Sequence, residues 1–175
     1  MKGEILWIKG RYGTIYFELA QYGDIKDILS LIKLRIKWMD EKGIEQWNKT
    51  DYLNCYPSEY FQNCIFKKEL YVLKVKENKT IVGAVALHTY DSRWKDKDSS
   101  YYIHNLVTSV NACCAGIVLI NNCELIAKNN NKRYLRLDCQ ASNIKLNEYY
   151  ERLGFGYVGI IKDGLYVGNK REKII

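Results

Sequence analysis

Apolar residues in this chain recur at two different spacings, and the changes from one spacing to the other mark out its elements. Residues 13–20 have strand character, and apolar positions three and four apart then predict a helix over 25–43. Gly43 ends that helix, and 43–48 is predicted to be a loop. A second helix is expected to follow Pro57, whose fixed backbone angle suits a first helical turn. The first third of the chain is therefore predicted to hold one strand and two helices.

Strands predominate in the rest of the chain. Two hydrophobic runs at 70–75 and 80–88 are joined by the polar segment 77–79, and this arrangement predicts an antiparallel hairpin. The further predicted elements are a strand at 101–108, a helix at 116–128, a strand at 134–139, a helix at 143–153 and a strand at 155–161. The complete order is strand, helix, helix, three strands, helix, strand, helix and two strands, of which the last follows the strand at 155–161.

The segment 143–155 carries the most specific pattern in the chain. Asn143 is suited to cap the start of a helix, and Gly154 supplies the left-handed residue that ends it. Between them, an apolar stripe at helical spacing consists of Leu146, Tyr149, Tyr150 and Leu153. One short helix therefore brings two tyrosines to nearly the same place.

The composition is that of one globular domain, which we expect to span residues 1–175. Hydrophobic residues make up 47% of the chain, which is enough for a single packed core. No run approaches the roughly 18 consecutive apolar residues of a membrane span, and the start of the chain lacks a signal-peptide pattern. We therefore expect a cytoplasmic protein with no membrane partner.

The formal net charge of +7 suggests some attraction for polyanions. Lysine and arginine are scattered among the acidic residues instead of forming a basic tract, so a nucleic-acid partner is not expected. The positive bias would equally favour a phosphate-rich cofactor, or it is solvated surface and nothing more. A homodimer is left open.

The cysteines are irregularly spaced, with no Cys-x-x-Cys pair, and the chain has only two histidines. This pattern fits neither a zinc site nor a secreted disulfide framework, so no metal site is predicted. We interpret the cysteines as mostly buried free thiols. They are Cys55, Cys64, Cys113, Cys114, Cys123 and Cys139.

The segment 143–155 resembles the end of the GNAT superfamily, the acyl-CoA-dependent N-acyltransferases. The positions that match the usual pattern of that family are Asn143, Leu146, Tyr149, Tyr150, Gly154 and Phe155. The order of the predicted elements is also similar to the whole GNAT fold, so the resemblance covers nearly the full chain. It implies an α/β (α+β) fold with a central mixed, mostly antiparallel sheet of about six to seven strands, flanked by about four helices.

The resemblance implies that Tyr150 is a general acid that protonates the departing thiolate. A thiolate of pKa about 8.5 leaves more easily when a phenol of pKa about 10 is close enough to give it a proton. The alternative is that Tyr150 is only a core aromatic of an amphipathic helix. By the same resemblance, Asn143 either contacts the pantetheine of the cofactor or caps the helix.

In GNAT proteins, backbone amides before the third helix hold the pyrophosphate of acetyl-CoA. Only Gly116 matches the usual sequence of this loop well, and Cys114 stands where glycine is usual, so a positive φ is more costly there. The loop still works if its main-chain amides carry the phosphate. The alternative is a decayed phosphate site on a fold that binds something else. The resemblance places this loop at Asn111, Ala112, Cys113, Cys114, Ala115 and Gly116.

Residues 102–108 resemble the fourth GNAT strand, in which a bulge turns backbone groups toward the cofactor. The resemblance assigns Leu106, Val107 and Thr108 to cofactor binding. A main-chain N–H near Leu106 or Val107 would stabilise the oxyanion. His104 matches a position that in some members carries a base for the amine. Its alternative is a structural histidine held by hydrogen bonds.

Two tryptophans in loops are candidates for the wall of the acceptor pocket. Trp47 lies after the first helix, in a loop that resembles the acceptor-bordering loop of a bacterial GNAT subgroup. Trp94 lies in the loop after the third strand. Each has a plain alternative, as a structural or a surface aromatic residue.

The resemblance thus implies an N-acetyltransferase of the bacterial small-molecule type. It would move an acetyl group from acetyl-CoA to a primary amine by direct attack in a ternary complex, without a metal or a covalent enzyme intermediate. The acceptor stays open between a polyamine, an amino acid, an antibiotic and a protein or peptide amine. One alternative is a non-catalytic acyl-CoA-binding or interaction protein on the same fold, suggested by Cys114. The other is a basic nucleic-acid-binding module, suggested by charge alone.

Overall fold

One sheet of seven strands organises residues 14–175, the part of the chain that the computed structural model describes. The strands are β1 (Ile15–Leu19), β2 (Leu70–Val75), β3 (Ile81–His88), β4 (Ser100–Thr108), β5 (Tyr134–Gln140), β6 (Gly156–Asp163) and β7 (Tyr166–Ile174). They lie in the order β1-β2-β3-β4-β5-β7-β6, and all neighbours are antiparallel except β4 and β5. This mixed, mostly antiparallel sheet confirms the predicted fold class. Gly13, the first residue of the first predicted strand, lies outside the described residues.

Helices cover both faces of the sheet. Within residues 14–175 they are α1 (Ile25–Glu41), α2 (Tyr52–Cys55), α3 (Ser58–Phe66), α4 (Ala115–Asn129) and α5 (Ile144–Arg152). The sequence pattern does not predict α2, because four residues are too few to show helical periodicity. Pro57 is the residue immediately before α3, so the second predicted helix begins where expected. None of the helices in the described part is both long and apolar enough to cross a membrane.

Alternation of side chains along the strands divides the core into two layers. On β2, Leu73 belongs to one layer and Val72 to the other, and Val85 and Ala84 on β3 divide in the same way. The layer of Leu73 includes residues of α4 and α5, and the layer of Val72 includes residues of α1 and α3. The strands β2 and β3 are buried along nearly their whole length, which explains their continuous apolar sequences.

Candidate active site

The strands β4 and β5 separate part-way along their length. They pair as parallel neighbours only at 100–103 and 134–137. Beyond these residues, β4 stays paired with β3 as far as Thr108, and β5 stays paired with β7 as far as Gln140. The diverging ends of both strands line a cavity of about 1490 Å³. This opening in the sheet is the candidate active site.

A β-bulge distorts β4 beside the cavity. Asn105 and Leu106 together lie opposite Val85 of β3, and Asn105 takes a left-handed backbone angle, φ +49°. Two tyrosines hold this strained residue. The Tyr60 hydroxyl lies 2.7 Å from Asn105 Oδ1, and Asn105 Nδ2 donates to the Tyr52 hydroxyl oxygen at 2.7 Å. The bulge that the resemblance implies is therefore present, and side chains of α2 and α3 fix it.

His88 supports the bulge indirectly, through the hydroxyl of Tyr60. His88 Nε2 lies 2.8 Å from the Tyr60 hydroxyl, and His88 Nδ1 lies 2.7 Å from Glu69 Oε2. The His88 ring is also next to that of His104, with ring centroids 4.9 Å apart. The sequence gives no sign of this role, because Glu69, His88 and Tyr60 come from different segments that meet only in the folded chain.

The end of β4 is tied to α1. One guanidinium nitrogen of Arg35 donates to the Thr108 carbonyl oxygen at 2.6 Å and to Thr108 Oγ1 at 2.9 Å. Leu106 and Thr108 line the cavity, whereas Val107 is buried in the core layer of α1. Of the three residues that the resemblance assigns to this strand, two therefore have side chains at the cavity.

The loop before α4 keeps a conformation that glycine usually supplies. Cys114 has φ +65° and ψ −1° at the N-cap position of α4, so this cysteine bears the strain expected from the sequence. The main-chain N–H groups of Cys114, Gly116 and Ile117 donate to no acceptor among the described residues. A methyl group at Gly116 would lie 2.9 Å from the Tyr149 hydroxyl, so a larger residue would disturb this corner. Unpaired amides at a helix start form a site suited to an anion.

The other residues predicted for this loop have different surroundings. Asn111 lines a smaller cleft against α1, Cys113 is exposed to solvent, and Ala115 is buried in the core. The residues of the predicted loop that line the cavity are Ala112, Cys114 and Gly116.

Helix α5 has the cap and the stop that its sequence predicts. Asn143 Oδ1 accepts a hydrogen bond from the Leu146 N–H at 3.1 Å, and Asn143 Nδ2 donates to Gln46 Oε1 at 3.2 Å. Gly154, with φ +88°, follows the helix in the left-handed conformation. Asn143 lines the cavity while it caps the helix, so its side chain also joins α5 to the loop after α1.

Tyr150 reaches the cavity from α5. Its side chain is only 7% exposed and contacts the core, yet it lines the cavity, and its hydroxyl hydrogen-bonds to no described residue. Burial raises the pKa of Tyr150 well above the usual phenol value, so the hydroxyl keeps its proton at neutral pH. Tyr150 can therefore present a proton to a group in the cavity.

A buried asparagine fixes α5 against the sheet. Asn147 Oδ1 accepts hydrogen bonds from Asn169 Nδ2 at 2.8 Å and Arg171 Nε at 3.2 Å. Asn147 Nδ2 donates to the Gln140 carbonyl oxygen at 2.9 Å. These bonds join α5 to both β5 and β7, and so they set where Tyr150 lies.

His104 lines the cavity within a cluster of charged groups. Its Nε2 lies 3.0 Å from Asp91 Oδ2, and a guanidinium nitrogen of Arg93 lies 3.2 Å from the same Nε2. Arg93 also pairs with Asp138 Oδ1 at 2.8 Å, and Asp138 Oδ2 accepts from the Tyr166 hydroxyl at 2.6 Å. Burial by itself would raise the pKa of Asp91, but hydrogen bonds from His104 and Arg93 bring it well below its usual value. The cluster bridges the gap between β4 and β5.

Sequence reasoning missed four members of this cluster. Asp138 gave one usable signal, because a carboxylate within the buried run 134–139 needs a partner or a function. Asp91 and Arg93 gave no such signal, because the spacing of residues in the loop after β3 does not show which side chains point toward β5. The missed residues are Asp91, Arg93, Asp138 and Tyr166.

Comparison with known proteins bears directly on this site. The model of the acetyltransferase (GNAT) family matches residues 35–155, which include the diverging ends of β4 and β5, the start of α4 and Tyr150. The chain belongs to the GNAT acetyltransferase family. The resemblance drawn from its sequence is thereby confirmed.

Relatives of this GNAT chain agree in fold along nearly its whole length. It is 24% identical over 160 residues to the uncharacterized N-acetyltransferase YesJ of Bacillus subtilis, which covers 86% of this chain and 87% of YesJ. The crystal structure of a GNAT-family acetyltransferase from Listeria monocytogenes is 25% identical, covers 92% of this chain and 95% of its own, and superposes with a TM-score of 0.76. PaiA N-acetyltransferase of Thermoplasma acidophilum, solved in complex with coenzyme A, gives a TM-score of 0.70 at 18% identity, with 93% and 99% of the two chains covered.

The two tryptophans proposed for the acceptor pocket of this GNAT chain differ in position. Trp47 lines the cavity and stacks on Tyr52, with ring centroids 4.3 Å apart. Trp94 does not line the cavity, which corrects the expectation from sequence. It is buried against Arg136, whose guanidinium carbon lies 4.6 Å from its ring centroid. Its neighbour Arg93 takes the cavity side of that loop instead.

The cysteines correct a second expectation. All six are free thiols, but Cys55, Cys113 and Cys114 are exposed, so the cysteines are not mostly buried. Within the described range, no group of three or more histidine, cysteine, aspartate and glutamate side chains is arranged to hold a metal ion.

Proposed function

We propose that this chain is an N-acetyltransferase that moves the acetyl group of acetyl-CoA to a primary amine by direct attack in a ternary complex. The observation that carries the proposal is that Tyr150, whose hydroxyl hydrogen-bonds to no described residue, lines the same cavity as the bulge of β4 and the start of α4. Membership of the GNAT family supports acetyl transfer. The fold shared with PaiA, which was solved with coenzyme A, supports a CoA thioester as the co-substrate.

The start of α4 would hold the pyrophosphate of the co-substrate. The unpaired amides of Cys114, Gly116 and Ile117 do not depend on the identity of the side chains. The left-handed angle of Cys114 argues against a decayed site, because the chain maintains a strained backbone where the phosphate loop needs it. Lys145 and Asn143 line the same cavity, and Lys145 would add positive charge. Acetyl-CoA itself would supply the activated thioester.

The bulge of β4 would stabilise charge on the thioester carbonyl. A main-chain N–H at Leu106 or Val107 is the proposed donor to the oxyanion. Such a donor is effective when it is held in place before the reaction. The hydrogen bonds that Asn105 donates to Tyr52 and accepts from Tyr60 supply that rigidity.

Tyr150 would act as the general acid. Its raised pKa keeps the phenol protonated, and the proton would pass to the CoA sulfur as the carbon–sulfur bond breaks. The burial that raises the pKa of Tyr150 would raise the pKa of a CoA thiol beside it in the same way, because neither anion is well solvated there.

His104 would act as the general base, oriented by Asp91. When Asp91 accepts the Nε2–H of His104, Nδ1 keeps its lone pair, 3.5 Å from a guanidinium nitrogen of Arg93. This lone pair would accept a proton from the incoming ammonium, directly or through water. Trp47 and Tyr166 line the part of the cavity that would surround the amine. A small molecule or a peptide with a primary amine fits these requirements.

Two measurements test the proposal in sequence. Calorimetry with CoA should show binding, and a thiol-release assay with acetyl-CoA should then show turnover with at least one amine from a panel of polyamines, amino acids, aminoglycosides and short peptides. Absence of CoA binding would reject the proposal. Binding of CoA without turnover across the panel would favour the non-catalytic acyl-CoA-binding protein instead.

A further inference from the structure

Two adjacent cysteines lie in the loop that leads into α4. Cys113 and Cys114 are both exposed, and their sulfur atoms are 3.4 Å apart. A disulfide bond is about 2.05 Å long, so the two sulfurs are close neighbours but must move nearer to each other before they bond. The loop therefore presents a dithiol to solvent at the edge of the cavity.

The other cysteines lack these properties. Cys64, Cys123 and Cys139 are buried, so a disulfide in solution does not reach their sulfur atoms in the folded chain. Cys55 is exposed on α2, but its thiol faces the Thr50 carbonyl oxygen and not another sulfur. Only the pair in the loop combines exposure with a neighbouring sulfur.

We propose that Cys113 and Cys114 are a thiol–disulfide modification site, which low-molecular-weight disulfides oxidise to a bond between the two neighbours, and that this bond disables the phosphate-binding amides of α4. The inference rests on the proposed function, in which those amides hold CoA. It adds a modification that switches the site off and on.

The chemistry balances with a disulfide of the general form RSSR. The thiolate of one cysteine attacks a sulfur of RSSR, which forms a mixed disulfide and releases one RS⁻. The second cysteine, as its thiolate, attacks the protein sulfur of that mixed disulfide and releases the second RS⁻. The two protons lost by the cysteines go to the two released thiolates, so the pair is oxidised by two electrons and RSSR is reduced to two RSH.

Ring closure would change the backbone that carries the amides. Consecutive Cα atoms are about 3.8 Å apart across a trans peptide, whereas disulfides prefer a separation of about 4.4–6.8 Å. The bond between neighbours therefore distorts the peptide and shifts Cys114 from its angle of φ +65°, on which the direction of its own N–H and of the Gly116 N–H depends. A strained disulfide is also readily reduced, so the change is reversible.

The test uses the full chain and oxidised glutathione as the probe. Intact-mass and peptide mapping should show the loss of two hydrogens in the peptide that holds Cys113 and Cys114, without a glutathione adduct. Calorimetry should show CoA affinity reduced by at least about tenfold in the oxidised protein and restored by dithiothreitol. Since the hydrogen bond with Cys113 raises the pKa of Cys114, the oxidation should be faster at alkaline pH.

Two variants sharpen the test. Cys113→Ser lacks one of the two thiols, so it should not lose two hydrogens and should instead retain glutathione as a mixed disulfide on Cys114. Cys55→Ser should still close the ring and lose CoA affinity. Stable glutathione adducts on either loop cysteine of the wild-type chain, or a closed ring with unchanged CoA affinity, would overturn the inference. If the reduced protein did not bind CoA at all, the proposed function would fail, and the mass measurement would still decide whether the ring forms.

Discussion

Tyr150 joins a buried ring to a hydroxyl that hydrogen-bonds to no described residue. Replacing it with phenylalanine removes one oxygen and keeps the contact of the ring with Phe155. If the hydroxyl protonates the departing thiolate, Tyr150→Phe should lower kcat by about a hundredfold or more. The affinity for CoA and the free energy of unfolding should stay close to wild type. Steady-state kinetics, calorimetry and urea unfolding measure the three quantities.

The matched control for this substitution lies on β6. Tyr157 is 55% exposed and does not line the cavity, so Tyr157→Phe removes the same oxygen outside the site and should leave kcat unchanged. The general-acid role of Tyr150 would be rejected if both variants turned over at the wild-type rate.

Cys114 bears a backbone angle that a residue with a Cβ adopts at a cost of about 1–2 kcal/mol. Two substitutions at this position remove the thiol equally but differ in that cost. Cys114→Gly should therefore be more stable than Cys114→Ala by about 1 kcal/mol, as measured by urea unfolding. Equal stabilities would show that the left-handed angle is not maintained in solution.

Single residues were predictable from sequence where a local pattern defines them. The cap at Asn143 and the stop at Gly154 depend only on neighbours in the same helix, and both are present. Asn147 and Asp138 escaped prediction because their partners come from β7 and from the loop after β3. Polar contacts between distant segments leave no periodic trace in a sequence.

At the scale of elements, α3 and the bulge of β4 are connected by one hydroxyl. Tyr60 hydrogen-bonds Asn105 and His88 but does not line the cavity. Tyr60→Phe should lower the free energy of unfolding by about 1 kcal/mol, because two part-buried polar side chains, Asn105 and His88, each lose one hydrogen bond. It should also lower kcat by about tenfold or more, since the bulge that it supports is the proposed oxyanion site.

Kinetics separate this positioning role from a purely structural one. The KM for acetyl-CoA should change little in Tyr60→Phe while kcat falls, because the phosphate amides of α4 lie elsewhere. Tyr22→Phe, at a 58% exposed residue before α1, is the control for loss of a hydroxyl. A stability loss in Tyr60→Phe with an unchanged kcat would contradict the positioning role.

Elements were predictable in proportion to their length and periodicity. The hairpin of β2 and β3 and the long helices α1 and α4 follow their apolar spacing closely. The four residues of α2 carry no periodic signal, yet Tyr52 in that turn stacks on Trp47 and bonds Asn105. The helix α2 therefore contributes to the site but is too short for a sequence pattern to predict it.

At the scale of the whole molecule, the cavity depends on where two strands stop pairing. The sequences of β4 and β5 predict two strands, but the divergence after Ile103 and Leu137 is set by their other neighbours, β3 and β7. The resemblance implied a bulge in β4 but not this opening, because a periodic pattern cannot show which strands separate. The charged cluster of Asp91, Arg93 and Asp138 then spans the opening.

This cluster should also shape the acid stability of the protein. The pKa of Asp91 in the folded state lies well below its value of about 3.9 in an unfolded chain, because hydrogen bonds from His104 and Arg93 outweigh its burial. A depressed pKa contributes stability that is fully present above the unfolded pKa and is lost as the pH falls through the folded one. Asp91→Asn should therefore lower the free energy of unfolding by about 3 kcal/mol near pH 5. Below about pH 4, the difference in the free energy of unfolding between Asp91→Asn and wild type should become steadily smaller.

Urea unfolding of both proteins between about pH 5 and pH 3 measures that difference. Glu151→Gln, at an exposed carboxylate on α5, is the control and should differ little from wild type at either pH. If the difference in unfolding free energy from wild type becomes smaller for Asp91→Asn and not for Glu151→Gln, the effect belongs to the cluster. Both variants replace a carboxylate by an amide, and only the Asp91 carboxylate is paired with Arg93. A difference for Asp91→Asn that stayed constant down to pH 3 would mean that the aspartate stabilises the fold without its charge.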